Sequence, residues 1–168
     1  MFETTTAAIW LRKCSVSTSD GRENSGYRRR AVEMWEAGTP EEIAARIEEA
    51  MAAAAPDVVV AAGRGAGVDL DPYRRLAERH GGRFAVTRPH VEARRAGRPE
   101  LVGASSETVS PALYVGFGVS GALPHLVGMD ASGTLIAVNT DPAAPIFEHA
   151  DHGAVADASA VVRALVDS

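Results

Sequence analysis

Ala112 to His125, reading ALYVGFGVSGALPH, carries residue types and spacing that could grip a phosphate. Leu113, Tyr114, Val115 and Phe117 favour an extended, pleated backbone. Gly116, Gly118 and Gly121 thin out the side chains where the strand ends. Ser120 reads as a helix N-cap, and Leu123 to Met129 has the apolar spacing of a short helix. A strand that runs through glycines into a helix start gathers free backbone N–H groups at one spot, where an α/β protein holds an anion. His125 stands about one turn into that helix. A tight connection alone would also call for these glycines, and a lone histidine is more often structural, so the rest of the chain has to decide.

The elements that would position this stretch alternate. Thr39-Pro40-Glu41-Glu42 is a helix start: an N-cap, proline in the first turn, then acids beside the positive end of the helix dipole. That helix carries Ile43, Ile47 and Met51 on one face and stops before Pro56. Val58 to Ala62 is an unbroken apolar run, as in a strand buried on both faces, and it ends in the glycine turn Gly63-Arg64-Gly65-Ala66-Gly67. A helix over roughly Pro72 to His80, a strand at Phe84 to Val86 and a helix over Val91 to Ala96 are predicted next. Gly103-Ala104-Ser105-Ser106 makes a third small-residue turn before the Leu113 strand. Thr134 to Val138 and Gly153 to Ala156 read as strands, and Ala158 to Val166 as a closing helix with Val161, Val162 and Leu165 inward.

The expected fold class is therefore α/β, with a mainly parallel sheet and helices on both faces. Ligands bind at the carboxyl ends of the strands in such sheets, which predicts one rim carrying Arg64, Arg88, Ser105, Ser120, His125 and Asn139. The composition agrees with this class. The 168 residues fit one domain, residues 39–168, behind an extension over residues 1–38. Within that extension Thr5 to Leu11 could form a strand, Ser15 to Arg30 reads as a flexible or partly disordered arm, and Val32, Met34 and Trp35 could pack onto the domain or a partner. A net charge of −5 gives no reason to seek nucleic acid or an anionic membrane, and Arg28 to Arg30 is too short a cluster to change that. Cys14 is the single cysteine, so neither an intrachain disulfide nor a cysteine metal cluster is expected. The five histidines lack metal-ligand spacing apart from the weak pair His149 and His152, and no metal is expected. With no signal pattern and no apolar run long enough to span a bilayer, the expectation is a soluble, cytoplasmic protein.

From about residue 58 onward the chain resembles the C-terminal, FAD-binding domain of the electron transfer flavoprotein alpha subunit. The most specific pieces are LYVGFGVSGALPHLVGM, IAVNTDPAAPIF and ADHGAVAD between residues 112 and 157, with Gly63-Arg64-Gly65 and Arg88 as weaker ones. The resemblance implies a Rossmann-like, three-layer fold that binds FAD. By the same resemblance Arg64 lies near the cofactor phosphates, and Ser120 with the N–H groups of Gly121 and Ala122 receives the pyrophosphate. Asn139 bonds the same region and Asp157 the adenosine end. Arg88, with Thr87 beside it, sets a cation against the flavin ring and favours its anionic reduced state. His125 donates toward the flavin carbonyl edge, and Val102, Gly103, Leu123 and Pro124 complete the cofactor contacts. Two stretches depart from the family pattern. Its GQTG turn reads Gly103-Ala104-Ser105-Ser106 here, so Ala104 lacks an amide while Ser105 keeps a hydroxyl, and the glutamine before the histidine is Pro124.

The function implied is an FAD-binding electron-transfer domain, a carrier rather than a catalyst with a substrate of its own. It would work with a beta-subunit-like or dehydrogenase partner, or as a homo-oligomer, since the resemblance covers the cofactor domain and not the larger N-terminal domain of the family. Ala104 and Pro124 leave a second reading open: a flavin-free module that binds an adenine nucleotide or a related small molecule.

Overall fold

The runs Val58–Ala62 and Leu113–Phe117 are strands buried at every position, because a strand covered on both faces needs apolar residues at successive positions. The computed structural model describes residues 32–35 and 38–168. The readings for Thr5 to Leu11, Cys14 and Ser15 to Arg30 lie outside the described residues. In chain order the elements are β1 (Glu33–Met34), α1 (Pro40–Ala54), β2 (Val58–Ala62), α2 (Asp71–Arg79) and β3 (Arg83–Val86). They continue with α3 (Arg88–Glu92), β4 (Leu113–Phe117), α4 (Leu123–Met129), β5 (Thr134–Asn139), β6 (His152–Val155) and α5 (Ala158–Asp167). Short 3₁₀ turns cover Arg64–Ala66, Arg98–Glu100 and Pro145–Glu148.

Among the described residues six strands form one sheet in the order β1-β6-β5-β4-β2-β3, and every pairing is parallel. Alternate residues of each strand serve opposite faces. Val58, Val60 and Ala62 join Ile43, Ile47 and Met51 of α1, Tyr73 and Leu76 of α2, and Val161, Val162 and Leu165 of α5 in one core. Val59, Ala61 and Tyr114 turn the other way, against Leu126 and Met129 of α4 and Ile146 and Phe147 of the 3₁₀ turn. The result is a three-layer α/β sandwich of Rossmann-like type. Each fully buried large apolar side chain in these two cores contributes about 1.5–3 kcal/mol of transfer free energy.

Two local readings are corrected. Ser120 is not a helix N-cap: α4 is preceded by Ala122, which makes no side-chain capping bond, and Pro124 stands in the first turn. Ser120 instead stays in an extended connection whose carbonyl accepts from the Ile146 N–H at 3.0 Å. The helix expected over Val91 to Ala96 lies at Arg88–Glu92, because Thr87 takes the extended N-cap conformation and Pro89 falls in the first turn. It cannot run on, since Arg94 has φ 56°. The expectation that Met34 and Trp35 pack onto the domain holds: Glu33–Met34 pair with β6 as β1, and Trp35 is buried, stacks on His152 and lies under the Arg46 guanidinium.

Strand order sets where a ligand can enter. The chain runs from β2 to β3 on one side, then returns to place β4 on the other side of β2. The connections leaving β2 and β4 therefore diverge to opposite faces and open a crevice at their carboxyl ends. The two glycine turns sit there and interlock. Gly63 N–H donates to the Phe117 carbonyl at 2.8 Å, and Gly65 N–H to that of Gly118 at 3.0 Å. Gly118 has φ +62°, and a Cβ on it would lie 2.2 Å from the carbonyl carbon of Gly65, so only glycine fits.

Candidate functional site

A cavity of about 520 Å³ fills this crevice. Arg64 and Gly65 come from the turn after β2, Thr87, Arg88 and Pro89 from the end of β3, and Gly118 to Ser120 with Ala122, Pro124 and His125 from β4 to α4. The loop Leu101 to Ser106 forms one wall, and Asn139, Asp141, Ala144 and Pro145 close the far end after β5.

Of the residues expected at a cofactor, the structure brings together Arg64, Thr87, Arg88, Val102, Gly103, Ala104, Ser105, Ser120, Ala122, Pro124, His125 and Asn139 on this one wall. It leaves three outside. Leu123 projects into solvent from the start of α4. Gly121 is buried behind the wall, with φ +88° and its α-carbon face against the Ile146 backbone. Asp157 caps α5, accepting from the N–H groups of Ser159 at 2.7 Å and Ala160 at 3.3 Å. Asp141, Ser106, Leu101 and Pro145 were missed. The Asn139-Thr140-Asp141-Pro142 turn at a strand's carboxyl end was the signal that could have found Asp141.

Charge on the wall is uneven. Arg88 donates to Ser105 Oγ at 2.6 Å, and among the described residues neither Arg88 nor Arg64 pairs with a carboxylate. Asp141 is the acid of the wall, and its carboxylate accepts from the Ala143 N–H at 2.9 Å. Ser120 and Ala122 bring backbone donors to the same wall as the arginines. No hydrogen bond among the described residues takes up the N–H groups of Ser120, Gly121 or Ala122. Two guanidinium groups and a run of open N–H groups suit a phosphate-bearing ligand. Arg88, Leu101, Ser105 and Ser106 also border a second hollow of about 460 Å³, which Arg98, Pro99 and Glu107 complete.

Two polar side chains are already spoken for. Asn139 donates through Nδ2 to the Val119 carbonyl at 2.9 Å and accepts the Asp141 N–H at 2.9 Å, which ties the ends of β4 and β5 together. His125 is buried between β4 and the 101–106 loop: Nδ1 meets the Val102 carbonyl at 3.0 Å and Nε2 meets the Tyr114 hydroxyl at 2.5 Å. Burial pushes the His125 pKa below its ordinary value, while the Val102 carbonyl pulls it the other way. Burial alone pushes that of Tyr114 up. Both ring nitrogens of His125 thus have partners within the protein, so the expectation that it donates an N–H into the site does not hold in this geometry. His90, passed over in the sequence, is fully buried and lies 2.7 Å from the Gly63 carbonyl, where it steadies the turn that presents Arg64.

An all-parallel sheet with a ligand crevice at its switch point, walled by glycine turns and unpaired arginines, defines a nucleotide-type binding domain. Residues 52–130 match the family described as the electron transfer flavoprotein FAD-binding domain. The chain is 40% identical over 113 residues to the electron transfer flavoprotein subunit alpha of Thermoanaerobacterium thermosaccharolyticum, covering 66% of this chain and 34% of that protein. It is 42% identical over 113 residues to protein FixB of Rhizobium meliloti, covering 66% of this chain and 32% of that one. For the mitochondrial electron transfer flavoprotein subunit alpha of Oryza sativa subsp. indica the figures are 43% over 111 residues, 65% and 31%. The chain spans about a third of the length of these relatives.

Proposed function

We propose that the crevice binds FAD and that the domain carries electrons between protein partners. The observation that carries this reading is the wall itself: within the region that matches the family, Arg64, Arg88 and the residues Ser120 and Ala122 with their open N–H groups converge on one cavity at the switch point. Bound FAD would supply the one- and two-electron chemistry. The protein's part is to bind, orient and tune. Arg64 and the N–H groups of Ser120 and Ala122 take the phosphates. Asn139 keeps the β4 and β5 ends in register around them. Arg88, steadied by Ser105, favours whichever state of the ligand carries more negative charge and so raises its potential. Asp157, on the rim beyond the cavity, serves the adenosine end only if the ligand extends past Asn139. The second hollow beside Arg88 and Ser105 leaves this end of the site open to a partner.

The relatives are named as alpha subunits, and we read the open edge as the place where a beta-subunit-like or dehydrogenase partner, or a second copy, covers the ligand. Among the described residues no helix is long and apolar enough to cross a membrane. A cytoplasmic setting belongs to the same proposal, supported by the single cysteine and the acidic balance.

The test is the visible spectrum of the purified protein, before and after incubation with FAD, with Arg64→Ala and Arg88→Ala alongside. Flavin absorbance is expected, with weaker retention in Arg64→Ala and a lower midpoint potential in Arg88→Ala. A colourless protein that takes up no FAD, yet is stabilised against heat by ADP or AMP, would replace this reading with the flavin-free module.

A further inference from the structure

Tyr114 is fully buried on β4, inside the core beneath α4, yet its hydroxyl is not left to solvent or to a backbone carbonyl. It meets His125, eleven positions on in sequence, at the cavity wall. We propose that Tyr114 is a positioning residue for the site: its hydroxyl occupies the ring nitrogen of His125 that the Val102 carbonyl leaves without a proton, and through His125 it anchors the wall that presents Ser105.

Donor and acceptor roles along the chain of contacts leave one arrangement. The Val102 carbonyl can only accept, so Nδ1 of His125 must carry a hydrogen. In a neutral imidazole Nε2 is then a lone pair, and the partner facing it must donate. The Tyr114 hydroxyl is that donor, and its burial keeps it protonated. The proton order is therefore Tyr114 O–H to His125 Nε2, and His125 Nδ1–H to the Val102 carbonyl. A histidine with both nitrogens engaged turns only carbon edges toward the cavity.

The same chain of bonds holds the loop. Val102 is the residue from which the 103–106 turn departs, and its carbonyl is gripped by His125. Two further bonds tie the loop to α4: Ala104 N–H to the Pro124 carbonyl at 2.7 Å and Val109 N–H to that of Gly128 at 2.7 Å. Ser105, which holds Arg88, rides on this loop. Tyr114 thus acts on Arg88 from inside the core without touching it. The groups that share the wall with His125 are Arg64 after β2, Arg88 after β3 and Asp141 after β5, while β4 supplies Tyr114 alone.

This inference rests on the FAD reading only for its redox consequence, and its test separates the two. Nitrogen-15 NMR of histidine-labelled protein reports the tautomer directly, with or without a cofactor. The expected result is a single protonated ring nitrogen on His125, Nδ1, at neutral pH. Tyr114→Phe keeps the ring volume and removes the donor to Nε2, so the Nδ1–H tautomer should persist on the Val102 carbonyl while the Nε2 resonance shifts with the lost hydrogen bond and the His125 titration midpoint rises. Where FAD binds, the midpoint potential should rise with it, because a histidine that protonates more readily favours the more negative state of its neighbour. An Nε2–H tautomer in the unaltered protein, or an unchanged His125 titration midpoint and Nε2 resonance in Tyr114→Phe, overturns the proposal. If the tautomer behaves as expected and no flavin is taken up, Tyr114 keeps its positioning role and the electron-carrier reading falls instead.

Discussion

Ala104 shows at the scale of one residue how the wall can be tuned. It is exposed at the cavity, its N–H is held by the Pro124 carbonyl, and its side chain stops at Cβ where the resembling family has glutamine. Replacing it with glutamine would add an amide to the wall without disturbing the backbone bond. We expect Ala104→Gln to tighten FAD binding roughly fivefold, the worth of about one net hydrogen bond, measured by flavin fluorescence titration. Pro124 is a different case, because its ring sits in the first turn of α4, where a missing N–H costs the helix nothing. The chemistry of Arg64, Arg88 and Ser105 could be read from residue type alone. The Tyr114–His125 bond could not, because it joins a strand to a helix across a distance in sequence at which no local pattern operates.

Among the elements, the interlocked turns after β2 and β4 impose the narrowest tolerance. Gly118→Ala would force a Cβ into the Gly65–Ala66 peptide while holding a left-handed backbone, and is expected to cost about 3–5 kcal/mol or to abolish folding, read as the loss of the urea transition midpoint. The strands were legible because burial on both faces leaves unbroken apolar runs such as Val58–Ala62. The start of α1 was legible because Thr39 and Glu42 form a reciprocal capping box. Two elements were not. The five residues of α3 are too few for a period, and their limits are set by the Thr87 and Arg94 backbone. Strand β1 has only two residues, both exposed, and exists because the edge of β6 is there to pair with. In the site, glycines announced the turns, but whether Gly121 and Asp157 face the cavity depends on packing against Ile146 and on the α5 cap. Sequence spacing carries neither.

For the whole molecule, pH is the simplest probe of how the two cores are joined. Burial is the leading cause that pushes both His125 and His152 below the ordinary histidine value; at His152, Glu33 and Asp151 pull upward and Arg46 down. A folded-state pKa below the unfolded one means the native protein binds fewer protons between the two values. Stability is then full above the unfolded pKa of about 6.5 and falls as pH drops from there toward the folded values, by at most about 1.4 kcal/mol per pH unit for His125. The more solvated His152 adds less. Urea midpoints should therefore be lower at about pH 5.5 than at about pH 7.5, and His125→Gln should flatten the difference. Trp35 tests the opposite end of the sheet: its burial against His152 and Arg46 predicts that Trp35→Ala costs about 3–5 kcal/mol, measured by the same unfolding transition. That tryptophan and the two residues before it have a practical meaning for where the domain can be cut. Composition would start a trimmed chain at Thr39, but such a chain would surrender β1 and leave the outer backbone of β6 bare, an edge ready to pair with any neighbour's strand. A trimmed chain that keeps Val32 is expected to stay monodisperse where one begun at Thr39 self-associates, so the first residues of the sheet would serve as its guard against joining the wrong one.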